Sequence, residues 1–263
     1  MNALRFISNI FCPPKCIFCG KLLGVDSYYN YCDKCMTDLK IKNERICEVC
    51  GRPIDVPRGD LICFTCINER YDFNRNIAPF LYKGVVKEAI LTMKFSANQQ
   101  WIAYSFGEIL AQHIKEQYGD IVFDGIVYVP SSKKRMKKRG YNQAEIIAIS
   151  VGKVLDVPVL KDTLIKFKDT PKQSTLSAEE RRKNVKGSYK MGKTDVTDKV
   201  LLLIDDVLTT GSTMSECAKM LTKAGALLVY GATVAVTEGW NKKCRLRGKR
   251  LRITKRNTTY YTK

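Results

Sequence analysis

The stretch 201–213, LLLIDDVLTTGST, sets two carboxylates, Asp205 and Asp206, just ahead of a hydroxyl-rich turn, Thr209, Thr210, Gly211, Ser212 and Thr213. Each half suits a different ligand chemistry. A helix start offers backbone N–H groups and the positive end of a dipole, which favour a phosphate. Gly211 lets the main chain approach it closely, and the neighbouring hydroxyls add donors. Two carboxylates would repel that phosphate. They suit sugar hydroxyls, as acceptors, or a magnesium ion. A phosphate cup beside an acidic cup describes a ribose-5-phosphate site.

A second chemistry lies at the other end of the chain. Cys16, Cys19, Cys32 and Cys35 repeat as Cys47, Cys50, Cys63 and Cys66, with an offset of 31 at every position. Both sets read C-x2-C-x12-C-x2-C, the spacing of paired zinc knuckles, so two zinc sites are expected. Spacing leaves the pairing open between two sequential ribbons and a cross-braced arrangement. Gly20 and Gly51 follow the second cysteine of each first pair, where a knuckle needs an unhindered backbone. Cys12, Cys217 and Cys244 fall outside the pattern and read as buried or free thiols. Four thiolates leave no open coordination position, so the role is structural or adhesive.

These groups need elements to hold them. KVLLLID (199–205) reads as a buried strand by its unbroken apolar run. Met214 to Lys223 reads as a helix stopped by Gly225, and Thr213 with Glu216 has capping-box spacing. LLVYGATVAV is a further strand. Upstream, FLYKGVVKEAILTMKF suggests a short strand and a helix with Val85, Val86, Ala89, Ile90 and Met93 on its inner face. Trp101 to Gln117 and 142–155 read as helices, 125–130 and 157–160 as strands. Strands alternating with helices argue for an α/β fold, a mostly parallel sheet flanked by helices, with ligands at the carboxyl ends of the strands. The texture changes after Cys66, so the expected organisation is a cysteine-rich zinc-binding module over 1–71, an α/β domain over 72–239 and a basic tail over 240–263.

The formal net charge is +19, and the tail from Trp240 carries ten Lys/Arg and no acid. A second concentration is Lys133, Lys134, Arg135, Lys137, Lys138 and Arg139, followed by Tyr141. Such runs suit phosphates, and the tyrosine offers a base a stacking surface, so single-stranded nucleic acid is the expected partner class. His113 is the only histidine, which rules out a Ser/His/Asp or Cys/His constellation; on a charged helix it is expected at the surface. No apolar run reaches the roughly 20 residues of a membrane helix, and the first residues make a poor signal peptide, so a cytoplasmic protein is expected.

The block LLLIDDVLTTGST resembles the phosphoribosyl pyrophosphate (PRPP) signature of type I phosphoribosyltransferases. With the paired knuckles, YKGVVKEAILTMKF, VPSSKKRMKKRGYNQAE and KDTPKQSTLSAEERRKNVKGSY, the chain resembles the ComF family of competence proteins over roughly 12–238. The resemblance implies a zinc-binding module on a type I phosphoribosyltransferase-like domain. It implies handling of incoming single-stranded DNA in natural transformation at the inner face of the membrane, with a competence helicase of the ComFA type as partner. By position, Asp205 and Asp206 would contact ribose hydroxyls, Thr209 to Thr213 would hold the 5-phosphate, and magnesium would accompany PRPP. Pro130, Ser131, Ser132 and Lys133 occupy the place of the pyrophosphate loop. Lys168 to Lys186, with Gln173 and Ser174, occupies that of the mobile flap. The alternative is an active phosphoribosyltransferase of unknown acceptor; no base-binding hood is recognisable.

Overall fold

The computed structural model describes residues 9–11, 13–41, 45–54, 61–96, 98–168 and 184–238. The expected flap core, 169–183, the basic tail, Cys12 and Cys244 lie outside the described residues.

Strand β6 (Val200–Leu208) is the centre of a parallel sheet. On one side it pairs with β3 (Gly125–Tyr128), and on the other with β7 (Leu228–Val236). Beyond β7 lie two short strands, β1 (Asn76–Ile77) and β2 (Phe80–Leu81), both parallel to it. Residues 157–160, expected as a strand, contribute one parallel bridge, Val159 with Ile126. An antiparallel hairpin, β4 (Leu164–Lys166) with β5 (Tyr189–Met191), stands apart from this sheet.

Both faces of the sheet are covered, which is why β6 reads as a continuous apolar run and not as an alternation. Leu202 and Ile204 pack on one face with helices α3 (Gly84–Phe95), α4 (Gln100–Tyr118) and α6 (Gln143–Leu155). Leu201 and Leu203 pack on the other with Met214, Cys217 and Leu221 of α7 (Ser212–Lys223). Helix α3 buries Val86, Ala89, Ile90 and Met93 as the spacing predicts, but Val85 is exposed. It sits one residue into the helix after Gly84, before the inner face is established.

The cysteine repeat is a repeat of bonds as well as of letters. Cys16 N–H bonds the Lys21 carbonyl and Gly20 N–H the Cys16 carbonyl; Cys47 to Arg52 and Gly51 to Cys47 are the same bonds 31 residues on. Short helices α1 (Asp33–Leu39) and α2 (Phe64–Asn68) follow the third cysteine of each set. The two knuckle pairs grip opposite faces of the sheet. Phe18 meets Phe80 and Phe106 edge to face at 5.3 and 5.9 Å in the first core. Cys47, Cys50 and Ile54 belong to the second. Gly51 backs onto β1 so tightly that a Cβ there would lie 2.7 Å from the Asn76 carbonyl oxygen.

His113 departs from its expected surface position. Its side chain is only 14% exposed, with Nδ1 3.6 Å from Glu116 Oε2 on the next turn of α4. Burial pushes its pKa down to about 4.

Candidate functional site

The sheet carries the acid pair further than the apolar run suggests. Strand β6 passes through Asp205 and Asp206 and pairs with β7 as far as Leu208. Neighbouring residues on a strand point to opposite faces, and the two carboxylates follow that rule. Asp206 turns toward α3, where Lys94 Nζ lies 2.7 Å from its Oδ1. Asp205 turns the other way, into the field of Lys166, Tyr189 and Cys217. Its Oδ1 accepts the Asp206 N–H at 2.8 Å. Burial, with Asp206 as the next cause, pushes the Asp205 carboxyl up to about 7.

After Leu208 the chain makes the expected turn into a helix, but with a different cap. Gly211, at φ +80°, is the N-cap of α7 and has no side chain to offer; the Thr210 hydroxyl accepts the Ser212 N–H at 3.4 Å instead. The Thr213–Glu216 capping box does not form: Glu216 Oε1 accepts the N–H of Gly187, beside the β4–β5 hairpin. The first backbone bond of α7 runs from Ser215 N–H to the Gly211 carbonyl at 2.8 Å, so the amides before it face the helix entrance. The Thr210 and Ser212 hydroxyls are 2.8 Å apart at that entrance.

The turn is held from behind by residues distant in sequence. Arg52, 3% exposed, donates from Nη2 to the Thr209 carbonyl and from Nε to the Thr237 carbonyl at 3.2 Å. Tyr71 donates from its hydroxyl to the Thr210 carbonyl at 2.8 Å. Its ring lies where a Cβ on Gly211 would be, 2.6 Å away, so that position excludes a side chain for space as well as for φ. Asp72 accepts the Ser215 hydroxyl at 2.7 Å.

The expected pyrophosphate loop follows β3 at the same end of the sheet; Val129 N–H bonds the carbonyl of Ile204, one residue before Asp205. Pro130 and Ser131 are half-buried, and Ser131 donates to Asn142 Oδ1 at 3.1 Å. Ser132 is buried and caps helix α5 (Lys133–Arg139), accepting the Arg135 N–H. Lys133, Lys134 and Lys137 are exposed on that helix, and Arg135 and Arg139 are half-buried. The side chain of Lys138 lies outside the described residues. Arg139 sits 5.0 Å over the Phe95 ring and feels the charge of Asp206. Tyr141 is not a stacking surface: it is 8% exposed, and its hydroxyl donates to the Met93 carbonyl. The exposed aromatic beside the basic helix is Phe95 instead.

The two cysteine sets close as sequential tetrads, Cys16, Cys19, Cys32 and Cys35, and Cys47, Cys50, Cys63 and Cys66, with the sulfurs of each within 4.8 Å of one another. Four sulfurs about 2.3 Å from a central zinc ion are roughly 3.8 Å apart. Cys19–Cys32 at 3.9 Å, Cys50–Cys63 at 3.6 Å and Cys63–Cys66 at 3.5 Å fit that edge. All three are far beyond a disulfide of about 2.05 Å. Donors from the protein already address the second set: Cys63 N–H points at Cys47 Sγ at 3.3 Å, and Arg52 Nη1 at Cys50 Sγ at 3.6 Å. Such donors suit thiolates, and the donor sets fit two structural zinc ions. Cys217, outside the repeat, is fully buried on the inner face of α7.

Sequence reasoning missed Arg52, Tyr71 and Lys94. Only Arg52 left a mark: it stands at the repeat position of Lys21.

Comparison with known proteins gives two family matches, a double zinc ribbon domain over 7–67 and a phosphoribosyl transferase domain over 136–251. The chain is 29% identical to "Competence protein F" of Haemophilus influenzae over 216 residues, covering 80% of this chain and 92% of that one. It is 27% identical to "DNA utilization protein YhgH" of Salmonella typhi over 220 residues, covering 82% and 94%. With "Competence protein ComFC" of Bacillus subtilis it shares 26% over 200 residues, covering 74% and 78%.

Proposed function

We propose that this chain, a homologue of competence protein F and ComFC in which a double zinc ribbon precedes a phosphoribosyltransferase domain, handles single-stranded DNA during uptake, with a ribose-phosphate site retained beside the DNA track. The observation that carries this reading is the position of Arg139. It ends the basic helix α5, leans on exposed Phe95, and stands in the field of Asp206. A track of phosphate-binding side chains and an acid pair suited to a pentose thus share one rim.

Each part has a role the chemistry allows. Lys133, Lys134 and Lys137 meet backbone phosphates, and affinity then falls steeply with salt. Phe95 offers a face to a base. The start of α7 and the Thr210 and Ser212 hydroxyls receive a phosphate monoester, as in PRPP or a DNA end. Asp205 and Asp206 accept from sugar hydroxyls, with magnesium entering alongside a pyrophosphate. The competence helicase of the ComFA type and the inner face of the membrane belong to the same reading and rest on the family. Among the described residues no helix is long and apolar enough to cross a membrane.

One observation favours the transferase alternative. Asp205, with its carboxyl pushed up to about 7, can hold or take up a proton at neutral pH, as a general acid or base must.

The deciding experiment measures single-stranded DNA binding over a salt series, and PRPP binding with magnesium, in wild type, in Asp205→Asn/Asp206→Asn and in Lys133→Ala/Lys134→Ala/Lys137→Ala. The acid double variant is expected to lose PRPP and keep DNA; the lysine variant is expected to bind DNA more weakly with a shallower salt slope. DNA binding indifferent to salt would end the first reading. Pyrophosphate release from PRPP with a nucleobase present would promote the transferase.

A further inference from the structure

Arg52 makes contacts that a zinc knuckle does not require. Its counterpart in the first repeat, Lys21, has the same backbone bond and an exposed side chain. Arg52 instead is buried at 3% exposure, and its guanidinium is divided between two structures. Nη1 points at Cys50 Sγ of the second tetrad, 3.6 Å away. Nη2 and Nε hold the carbonyls of Thr209 and Thr237, at the end of β6 and of β7. Tyr71, five residues past the last cysteine, takes the next carbonyl of the turn, that of Thr210. A buried, fully engaged arginine with a planar fork fixes the relative position of everything it touches.

We propose that Arg52 is a positioning residue that keys the Thr209–Gly211 turn to the second cysteine tetrad, so that the shape of the phosphate entrance is set by the metal-bound ribbon behind it. A trans peptide points its N–H opposite to its C=O, so pinning the carbonyls of Thr209 and Thr210 to the rear turns the N–H groups of Thr210 and Gly211 toward the entrance. An anion then finds donors already aimed, without a cost in ordering the loop. The thiolate of Cys50 in turn gains a cationic donor, which steadies it as a ligand. The two ends are therefore coupled, and each should sense the loss of Arg52. This inference rests on the ribose-phosphate reading only for its ligand arm.

The test uses the full, zinc-loaded chain and compares wild type with Arg52→Gln, Tyr71→Phe and, as the control from the first repeat, Lys21→Gln. Three quantities are read: amide hydrogen exchange over 209–213, the rate at which each of the two zinc ions passes to a chelator, and PRPP affinity with magnesium. In Arg52→Gln, loss of charge-assisted hydrogen bonds should speed exchange across the turn and weaken PRPP by about tenfold or more, with strands β3 and β6 before Asp205 unchanged. One zinc ion should leave faster and the other at the wild-type rate. Tyr71→Phe should move the exchange in the same direction by less and leave zinc release alone, and Lys21→Gln should move nothing.

Unchanged exchange at the turn in Arg52→Gln overturns the proposal. So does an equal effect from Lys21→Gln. Should Arg52→Gln not fold, Tyr71→Phe decides: unchanged exchange at 209–213 overturns the keyed turn. Should wild type bind no PRPP, the ribose-phosphate reading falls, while the exchange and zinc-release arms still judge Arg52.

Discussion

Lys94 Nζ lies 2.7 Å from Asp206 Oδ1, at the last turn of α3, with both side chains largely out of water. The same lysine acts on Asp205, lowering a carboxyl that burial and Asp206 raise. Lys94→Met should therefore move the Asp205 titration midpoint above its present value of about 7, by roughly one unit. Carboxyl-carbon NMR over a pH series reads it directly. A midpoint that stays put or falls would remove Lys94 from the site.

Asp205 also marks the site by its effect on stability. Its folded value of about 7 lies above the 3.8 of an ordinary aspartate, so the folded state holds the extra proton between them. Stability from this group is present below 3.8, falls as pH rises and is gone above about 7. Asp205→Asn removes that dependence. The variant should be more stable than wild type at pH 8, by on the order of 3 kcal/mol, with the gap closing on acidification. Urea midpoints at several pH values check it, and a variant less stable at pH 8 refutes it.

His113 works with the opposite sign. Its folded value, about 4, lies below the 6.5 of an ordinary histidine, because burial opposes the cation while Lys40 and Arg75 add repulsion and Glu116 partly offsets them. The unfolded chain takes up the proton first. Stability is whole above 6.5 and drains as pH falls toward 4. His113→Gln should flatten that acid limb, again by on the order of 3 kcal/mol. Parallel acid unfolding curves for the two proteins would contradict this.

Sequential tetrads make a stoichiometric prediction. Cys19→Ser/Cys32→Ser removes two ligands from one tetrad and should leave one zinc ion per chain. Cys19→Ser/Cys50→Ser damages both tetrads and should leave none. Metal analysis of the purified variants reads the counts, and the reverse result would mean cross-bracing.

The sequence showed what is local or periodic. Knuckle spacing located both cysteine tetrads, and the run before Asp205 located the central strand with the acids at the sheet's open end. Contacts between distant residues left no such trace: Arg52 and Thr209 are 157 positions apart, Tyr71 and Thr210 139, Lys94 and Asp206 112. The capping box failed because the helix starts two residues earlier than expected, with Gly211 in the left-handed region as its N-cap, and Glu216 bonds Gly187 instead. Tyr141 looked like a loop aromatic because it follows a glycine and a basic run. Only the packing of α3 shows that its ring lies inside.

Strands β1 and β2, next to the cysteine repeat, join the main sheet by pairing with β7, more than 150 positions later. During synthesis the metal-binding segment leaves the ribosome long before that partner exists. Coordination must then hold Phe18 and Ile54 in a half-made protein, their greasy surfaces waiting for the final strand. Metal starvation should thus be most damaging to nascent chains, and much less so to molecules already finished.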